Sequence, residues 1–489
     1  MKGNFLCKGI SIVVSVIILC FTFTSCGGKK PPESKTESES VSGQQTNSTV
    51  SSVTATTGAT ESTDAGGGII RTGNSAASTS KKAATTTKRN QQDFDPYAKI
   101  PSNLKGTTVR MLTWVALTDY DKKVISDFTA KTGIKVVPTV TTYGLYPTRL
   151  AAAVTSGASP DMMGMHARWW PSFITKNLVQ PITVGDFDLE KDIAYDKTIM
   201  DMAKWGGKYY GIAIRGSNQC TLNRMVFYNK NMFLRAKLKT PTQLWAEGKW
   251  NWDTYLEAAK TLTKEENGKQ IYGMGVSNFD AVMLSADTDY VKFKTTGDST
   301  KIINNLSDQK LVKAFQYYIN ADSVYKVRGG NLEAFINGTV ATFAGEDDLL
   351  LKGSLLSKMT DPWGVVPFPS PAGQKHINPS ATNLWGIAVG AKNPKAASYF
   401  MRYFLDPDNQ SPDRFVNDEC RLRYYEMQDL KKNTLRSLGI VGFNSDSDYW
   451  DLQTKVIYGT VAQISTNLAA WSPKLDGIIK DLENEIPKK

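Results

Sequence analysis

The sequence predicts an α/β protein in which mostly parallel sheets are flanked by helices, arranged as two lobes. Strand-like and helix-like segments alternate from about residue 108 onward, a pattern typical of parallel sheets covered on both faces. About 390 residues follow residue 96, too many for one ordinary hydrophobic core. The apolar share of 41% and charged share of 21% are those of a globular chain. We therefore expect two α/β lobes after a separate N-terminal part.

Residues 1–25 have the order of a secretory signal: Lys2 and Lys8, the apolar run ISIVVSVIILCFTF, and small residues next to Cys26. The stretch FTSC resembles the bacterial lipobox, although Phe23 replaces the usual leucine. This resemblance implies that Cys26 is acylated, for example with palmitate, and holds the protein at the extracellular face of the bacterial cell membrane. The alternatives are an ordinary signal peptide and an uncleaved anchor.

Residues 26–96 are expected to form a disordered Ser/Thr/Gly-rich linker. Between residues 27 and 92 there is no Leu, Met, Phe, Trp or Tyr, so the segment cannot bury enough apolar surface to offset its ordering entropy. A flexible coil of this length has a root-mean-square span of roughly 45 Å. The segment is therefore interpreted as a tether, and its Thr-rich tracts leave glycosylation open.

Charge and cysteine content restrict the function classes. The formal net charge is +11, but there is no block of five or six basic residues, so we expect no nucleic-acid binding. Attraction to an anionic wall or membrane is enough to explain the excess. Cys220 and Cys420 remain in the folded part, either as buried free thiols or as a disulfide, and their spacing leaves both open.

The first elements follow in order along the chain. TVRMLTWV predicts a strand, and TDYDKKVISDFTAKTG predicts a helix with Thr118 as N-cap and Gly133 as C-terminal stop. IKVVPTV, YPTRLAAAVTSG and DMMGMH predict a second strand, a second helix and a third strand. In a parallel sheet, ligands bind beyond the carboxyl ends of the strands. Trp114 and the stretch HARWW at 166–170 are therefore expected at one crevice.

A family resemblance follows from ordered motifs. VRMLTW, DFTAKTGIKV, RLAAAVTSGASPDMM, YYGIAI, VFYNKNMF, GKWNWDTYLEAAKTLT, AFINGTVATFAGED and WGIAVGAKNPKAASYFMRYFL resemble the extracellular solute-binding proteins of ABC importers, the maltose-binding type. The resemblance implies a periplasmic-binding-protein-like fold of two lobes joined by a multi-strand hinge. It further implies a monomer that holds a small solute, here a carbohydrate, in the cleft, delivers it to ABC permease subunits and needs no cofactor.

The resemblance also implies lobe limits within a solute-binding domain at 97–489. The first lobe is expected at about 97–222 and 375–410, and the second at about 223–374 and 411–489. LNRMVFYNK, at 222–230, resembles the first crossing between the lobes, and WGVVPFPSPAGQKHINPSATNLWGIAV contains the second. A hinge of a few connecting segments allows the lobes to close on a ligand.

A sugar site needs flat aromatic surfaces for the C–H face of the ring and charged or amide groups for its hydroxyls. By position in the resemblance, the candidate ligand-binding residues are Trp114, Arg168, Trp169, Phe279, Trp385 and Trp450. Core or hinge packing is the alternative for each tryptophan. The chain departs from maltose-type relatives at Ala167 and at the GEDD stretch, where Asp347 is a further candidate. A solvated loop is the alternative there.

Other function classes are less well supported. There is no G-x-S-x-G, Walker A or H-E-x-x-H motif, and a glycan-processing enzyme would have to use pairs such as Glu346 with Asp348 or Asp161. NSDSDYWD, at 444–451, hints at calcium but lacks the glycine and distal glutamate of an EF-hand, so no metal is expected. A surface sugar sensor or adhesin subunit without a transport role stays open. The ligand also stays open between a sugar, a polyol, a phosphorylated sugar and a cationic solute.

Overall fold

The computed structural model describes residues 100–182, 187–217, 219–409, 414–434 and 447–485, all within one compact unit. The signal sequence, Cys26 and the tether lie outside the described residues, as does the first part of the calcium-like stretch. No helix in the described ranges has the length and apolar character required to cross a membrane.

The strands of the described residues are short except for two. They are β1 Thr108–Thr113, β2 Lys135–Val140, β3 Met162–His166, β4 Val179–Gln180, β5 Lys204–Trp205, β6 Lys208–Tyr209, β7 Thr221–Asn229, β8 Lys264–Glu266, β9 Lys269–Ile271, β10 Val291–Thr296, β11 Ser299–Asn304, β12 Thr342–Glu346, β13 Trp363–Pro367, β14 Ile377–Ala388 and β15 Lys431–Thr434. The long strands β7 and β14, with 9 and 12 residues, connect the rest of the main sheet.

The α-helices lie between these strands and at the C-terminal end. They are α1 Asp119–Thr132, α2 Tyr146–Thr155, α3 Trp170–Thr175, α4 Lys197–Met202, α5 Lys230–Arg235, α6 Pro241–Ala246, α7 Trp252–Leu262, α8 Phe279–Ser285, α9 Gln309–Ile319, α10 Leu332–Ile336, α11 Pro394–Phe404, α12 Asp418–Asp429, α13 Ser447–Ile457 and α14 Ile464–Glu485. A π-helical turn at Asn320–Val324 extends α9.

The predicted alternation of strands and helices is confirmed at the start of the fold. β1 pairs in parallel with both β2 and β3, and α1 and α2 make the connections. Thr118 caps α1 in a reciprocal capping box with Asp121, which satisfies two backbone donors at the helix start. Gly133 ends α1 with φ of 72°, a left-handed conformation that glycine adopts without steric cost. The α/β fold class is thus as predicted.

β7 and β14 join two groups of strands in one sheet with the path β12-β7-β14-β3-β1-β2. Residues 380–382 of β14 pair with residues 221–223 of β7, its first residues pair with β15, and its last residues pair with β3 and β4. The rest of β7 pairs with β12 and β13. We call β1–β4 the N-terminal strand group and β12–β13 the central strand group. Both connecting strands lie in the segments that the resemblance identified as crossings, while the lobe limits stay a prediction.

The two cysteines of the folded part are free thiols, and both are fully buried. This decides between the two alternatives that their spacing left open. Cys220 packs in the largest hydrophobic cluster and Cys420 in a separate cluster beside Tyr424 and Met427. Each thiol therefore behaves as a small apolar side chain in its own core.

Candidate functional site

An aromatic cluster lies where β1 and β3 end. It consists of Trp114, Tyr143, Tyr146, His166 and Trp169, which we call the aromatic cluster. Trp169 stacks on Tyr146 with ring centroids 4.9 Å apart and planes 6° apart, and Trp114 meets both rings edge-on at 4.9 and 5.0 Å. Trp169 is buried, while Trp114 and His166 keep partial exposure. The cluster thus presents part of an aromatic surface to solvent.

The parallel pairing of β1 and β3 places this cluster. Their carboxyl ends lie side by side, so Trp114, which follows β1, reaches the last residues of β3. The Tyr146 hydroxyl lies 3.2 Å from the Leu112 carbonyl and 2.6 Å from the Gly164 carbonyl, which ties α2 to both strands. A Cβ at Gly164 would lie 2.5 Å from the Trp114 ring. Glycine is therefore required for this close approach.

The same two arginines act on two titratable groups, His166 of β3 and Asp280 of α8. Burial, Arg168 and Arg224 lower the pKa of His166 to about 4, so this imidazole is neutral at physiological pH. The Arg168 backbone N–H lies 3.1 Å from its Nδ1, which thus acts as the acceptor. The same two guanidinium groups act on Asp280 at the start of α8. His166 and Asp280 therefore both lie within electrostatic range of the same two arginines.

Asp280 joins α8 to α13. Burial raises the pKa of its carboxyl group, while hydrogen bonds from Tyr449 and Gln453 and the two arginine charges oppose that rise. Tyr449 donates a hydrogen bond to Asp280 Oδ1, and Gln453 Nε2 donates to the same oxygen at 3.0 Å. All three side chains are buried. The carboxylate is therefore held rigidly between two helices.

The three acids after the NG turn occupy three different environments. Asp347 is buried, and its Oδ2 accepts a hydrogen bond from Asn223 Nδ2 at 2.6 Å, where β7 and β14 meet. Burial raises the pKa of Asp347 to about 7. Glu346 forms a half-buried ion pair with Arg224 at 2.7 Å, and Asp348 is exposed. This stretch is therefore part of the junction between the connecting strands.

The remaining predicted site residues differ in exposure. Arg168 adjoins the aromatic cluster, with its guanidinium 5.7 Å from the Tyr143 ring. Trp385 is 4% exposed in β14, and its indole N–H donates to the Gln219 carbonyl at 3.2 Å. Phe279 is 1% exposed and stacks on Phe315 at 4.0 Å. In this arrangement neither Trp385 nor Phe279 offers a ring face to a ligand.

Trp450 is the most exposed of the predicted aromatic residues, at 39%, and it contacts Tyr449 edge-on at 5.1 Å. It lies on α13, the helix that also carries Tyr449 and Gln453, the hydrogen-bond partners of Asp280. The structure thus brings Trp114, Arg168 and Trp169 together. It places Trp450 next to Tyr449, which donates a hydrogen bond to the Asp280 carboxylate.

Sequence reasoning missed several residues of this region. They are Tyr143, Arg224, Asp280, Tyr449 and Gln453, whereas His166 was expected at the crevice as part of the stretch HARWW. Arg224 had a usable signal, because it is the one charged residue of β7 and directly precedes its apolar run. Asp280 had none, since nothing local distinguishes it from a solvated helix start.

Asp161, a possible partner of Glu346 in a glycosidase pair, has a structural role. Its two oxygens accept backbone N–H groups of Arg110 at 2.9 Å and Asn393 at 2.6 Å, which links β1 to the start of α11. No group of three or more His, Cys, Asp or Glu side chains able to hold a metal occurs in the part of the chain that the structure describes.

A second concave surface has a different character. Its cavity of about 510 Å³ is lined by charged side chains of both signs. In its lining, Lys432 Nζ forms a buried ion pair with Asp196 Oδ2 at 2.9 Å. The lining residues are Glu190, Lys191, Asp192, Ile193, Tyr195, Asp196, Lys197, Thr198, Arg215, Lys375, Gln428, Asp429, Leu430, Lys431 and Lys432. We call this the charged cavity; it contains none of the aromatic cluster.

Comparison with known sequences gives a family match. The model of the bacterial extracellular solute-binding protein family matches residues 114–411, more than half of the chain. A protein described as a binding protein of Brucella abortus (strain 2308) is 26% identical over 157 residues. That match covers 32% of this chain and 33% of the relative, so the chain spans about a third of the length of such curated relatives.

Solved structures share the fold. The sugar-binding protein MalE of Xanthomonas citri has a TM-score of 0.60 at 15% identity, covering 77% of this chain and 98% of that one. The cyclic alpha-maltosyl-1,6-maltose binding protein of Arthrobacter globiformis has a TM-score of 0.59 at 15% identity, covering 77% and 99%. An extracellular solute-binding protein of Staphylococcus aureus in complex with maltose has 0.58 at 14%, covering 77% and 99%. The two-lobed α/β fold is thus shared with these proteins.

Proposed function

The chain belongs to the bacterial extracellular solute-binding protein family, and from that premise we propose that it captures a sugar or oligosaccharide between its two lobes and delivers it to the permease subunits of an ABC importer. The observation that carries the proposal is the partly exposed aromatic cluster, with the Arg168 guanidinium 5.7 Å from the Tyr143 ring and with Arg224 of β7 and Asp280 of α8 in electrostatic range of its charged groups. Aromatic rings pack against the C–H face of a pyranose, and charged groups hydrogen-bond strongly to its hydroxyls.

The charges of the site favour an uncharged ligand. The Arg224 charge is balanced by Glu346 at 2.7 Å, and the Arg168 charge acts on Asp280. His166 is neutral because its pKa is lowered to about 4. A phosphorylated sugar or a cationic solute would therefore leave a charge without a matched partner, which is costly in a partly buried site. This supports a neutral sugar over the charged alternatives.

The connecting strands supply a means of signalling. β7 and β14 meet only over residues 221–223 and 380–382, and each pairs with a different strand group beyond that point. A short junction of this kind concentrates bending in a few residues, so closure on a ligand changes the shape that a permease contacts. Trp450, exposed on α13, is proposed to add a stacking face upon closure.

Tethering is a further part of the proposal. Cys26, acylated and followed by the linker, would keep the receptor near a membrane-bound permease. Replacing Cys26 with alanine should release the protein into the medium or leave an uncleaved precursor. Unchanged membrane fractionation with processing at the same bond would contradict the lipid anchor.

Thermal-shift screening of the full chain tests the sugar site. The panel contains glucose, maltose, mannobiose, cellobiose, cyclic alpha-maltosyl-1,6-maltose, glucose 6-phosphate and glucosamine. A ligand at 100 times its Kd should stabilise the protein by about 2.7 kcal/mol. We expect a neutral member to raise the melting temperature. A rise with only the phosphorylated or amino sugar, or with no member, would overturn the assignment. Loss of sugar uptake on deletion of the protein would separate a transport receptor from a surface sensor.

A further inference from the structure

We propose that Asp280 is a specificity-determining ligand contact whose free oxygen, Oδ2, accepts a hydrogen bond from a hydroxyl group of the bound sugar, while α13 holds its other oxygen. The inference rests on the proposed function, because it names a contact within the same site. It adds an acidic acceptor on α8 to a site otherwise defined by the aromatic cluster and two arginines.

The geometry leaves one oxygen of the carboxylate available. Tyr449 and Gln453 both donate to Oδ1. Oδ2 has no hydrogen-bond partner among the described residues, and it is absent from the fully enclosed polar atoms that lack one. Asp280 is 9% exposed, so this small accessible area includes Oδ2. A partly buried acceptor without a protein partner is suited to a ligand donor.

The surroundings fix this acceptor in place, and two arginine charges act on it. Phe279, the preceding residue, stacks on Phe315 of α9 at 4.0 Å, which fixes the start of α8. Burial raises the pKa of Asp280, and the Arg168 and Arg224 charges oppose that rise, which favours the carboxylate form. A charged acceptor forms a shorter and stronger hydrogen bond than a neutral one. The ligand group that it selects must be a donor, because an ionised carboxylate only accepts.

The support from α13 couples this contact to the exposed tryptophan. Tyr449 and Gln453 lie four residues apart on α13, on one face of the helix, and both point to Asp280. Trp450 is the next residue after Tyr449 and contacts its ring. A movement of α13 therefore displaces the stacking face and the supports of the acceptor together. Tyr449 is in this respect a positioning residue for Asp280.

Binding measurements on the full chain with the Asp280→Asn variant test the inference. Asparagine keeps the size and an oxygen for Tyr449, but it removes the charge. We expect the panel sugar with the largest thermal shift on the wild type to bind about 10- to 150-fold more weakly, as expected for a lost hydrogen bond to a charged group. The matched control is Asp308→Asn, since Asp308 is a carboxylate that caps α9 and pairs with Lys292 at 3.0 Å. This control should bind within about twofold of the wild type.

Singly deoxygenated forms of the same sugar separate contact from support. Removing the hydroxyl that Asp280 accepts should weaken wild-type binding by a similar factor and should scarcely affect the Asp280→Asn variant, because paired losses are not additive. The inference is overturned if the Asp280→Asn variant binds the sugar with wild-type affinity. It is also overturned if every deoxy sugar loses as much affinity for the variant as for the wild type. Either result leaves the proposed function in place. A wild type that binds no panel sugar overturns both.

Discussion

Lys432 Nζ lies 2.9 Å from Asp196 Oδ2, and the two side chains are 2% and 9% exposed. Lys432 belongs to β15, which pairs in parallel with the first residues of the connecting strand β14. Asp196 caps α4 by accepting the Ile199 N–H. The ion pair therefore fixes the start of α4 against a strand beside the junction.

Removing the lysine charge should be strongly destabilising. Lys432→Met leaves a buried carboxylate without its counter-charge, which costs about 3–5 kcal/mol of unfolding free energy in comparable pairs. The neighbouring control Lys431→Met removes an exposed ion pair with Asp287 and should cost under about 1 kcal/mol. Urea denaturation of both variants measures the difference. Equal losses of unfolding free energy in the two variants would show that the buried ion pair contributes no more to stability than the exposed one.

Asp347 should make the protein more stable at acidic pH. Burial raises its pKa from the ordinary 3.8 to about 7, so the folded state retains a proton that the unfolded chain has lost between those values. Its contribution is therefore fully present below about pH 4 and falls by up to about 1.4 kcal/mol per pH unit until about pH 7. Asp347→Asn should remove this slope, as measured by denaturation at pH 4, 5.5 and 7.5. A wild-type slope retained in the variant would contradict this role.

Two tryptophans should respond oppositely to truncation. Trp450→Ala should weaken sugar binding by roughly 1.5–4 kcal/mol with little change in ligand-free stability, because this ring is 39% exposed. Trp385→Ala removes a ring that is 4% exposed, and it should cost about 3–5 kcal/mol of stability through the cavity left behind. Calorimetric titration and thermal melting of both variants separate the two effects. A Trp450→Ala variant that binds normally but melts far lower would assign Trp450 to the core.

The thiols of the folded part should resist modification. Burial raises the pKa of Cys220 to about 12 and that of Cys420 to about 11, so the reactive thiolate is scarce at pH 8. We expect iodoacetamide to modify neither residue until the chain is denatured, as followed by mass spectrometry of the two peptides. Rapid labelling of either residue in the native state, or a peptide pair joined by a disulfide, would be inconsistent with this arrangement.

Local features of the fold could be predicted because their causes lie within a few residues. Thr118 and Gly133 bound α1 through short-range backbone requirements, and the alternating elements follow from apolar periodicity. The burial of Trp385 could not be predicted in this way. Its strand shows which residues share a face, but not that Phe404 of α11 covers it.

The candidate site was predictable only in part for the same reason. Trp114 and Trp169 follow adjacent strands, so sheet topology alone brings them together. Asp280 depends on Tyr449, which is 169 residues away in sequence. No local pattern indicates that contact, whereas the resemblance identified the adjacent Phe279 and Trp450.

The most direct test of the account is a crystal structure of the protein with the panel sugar that gives the largest thermal shift. We predict electron density for the sugar ring against the aromatic cluster, with a hydroxyl group within hydrogen-bond distance of Asp280 Oδ2. Density in the charged cavity between Glu190–Thr198 and Gln428–Lys432, with none at the aromatic cluster, would contradict the central claim.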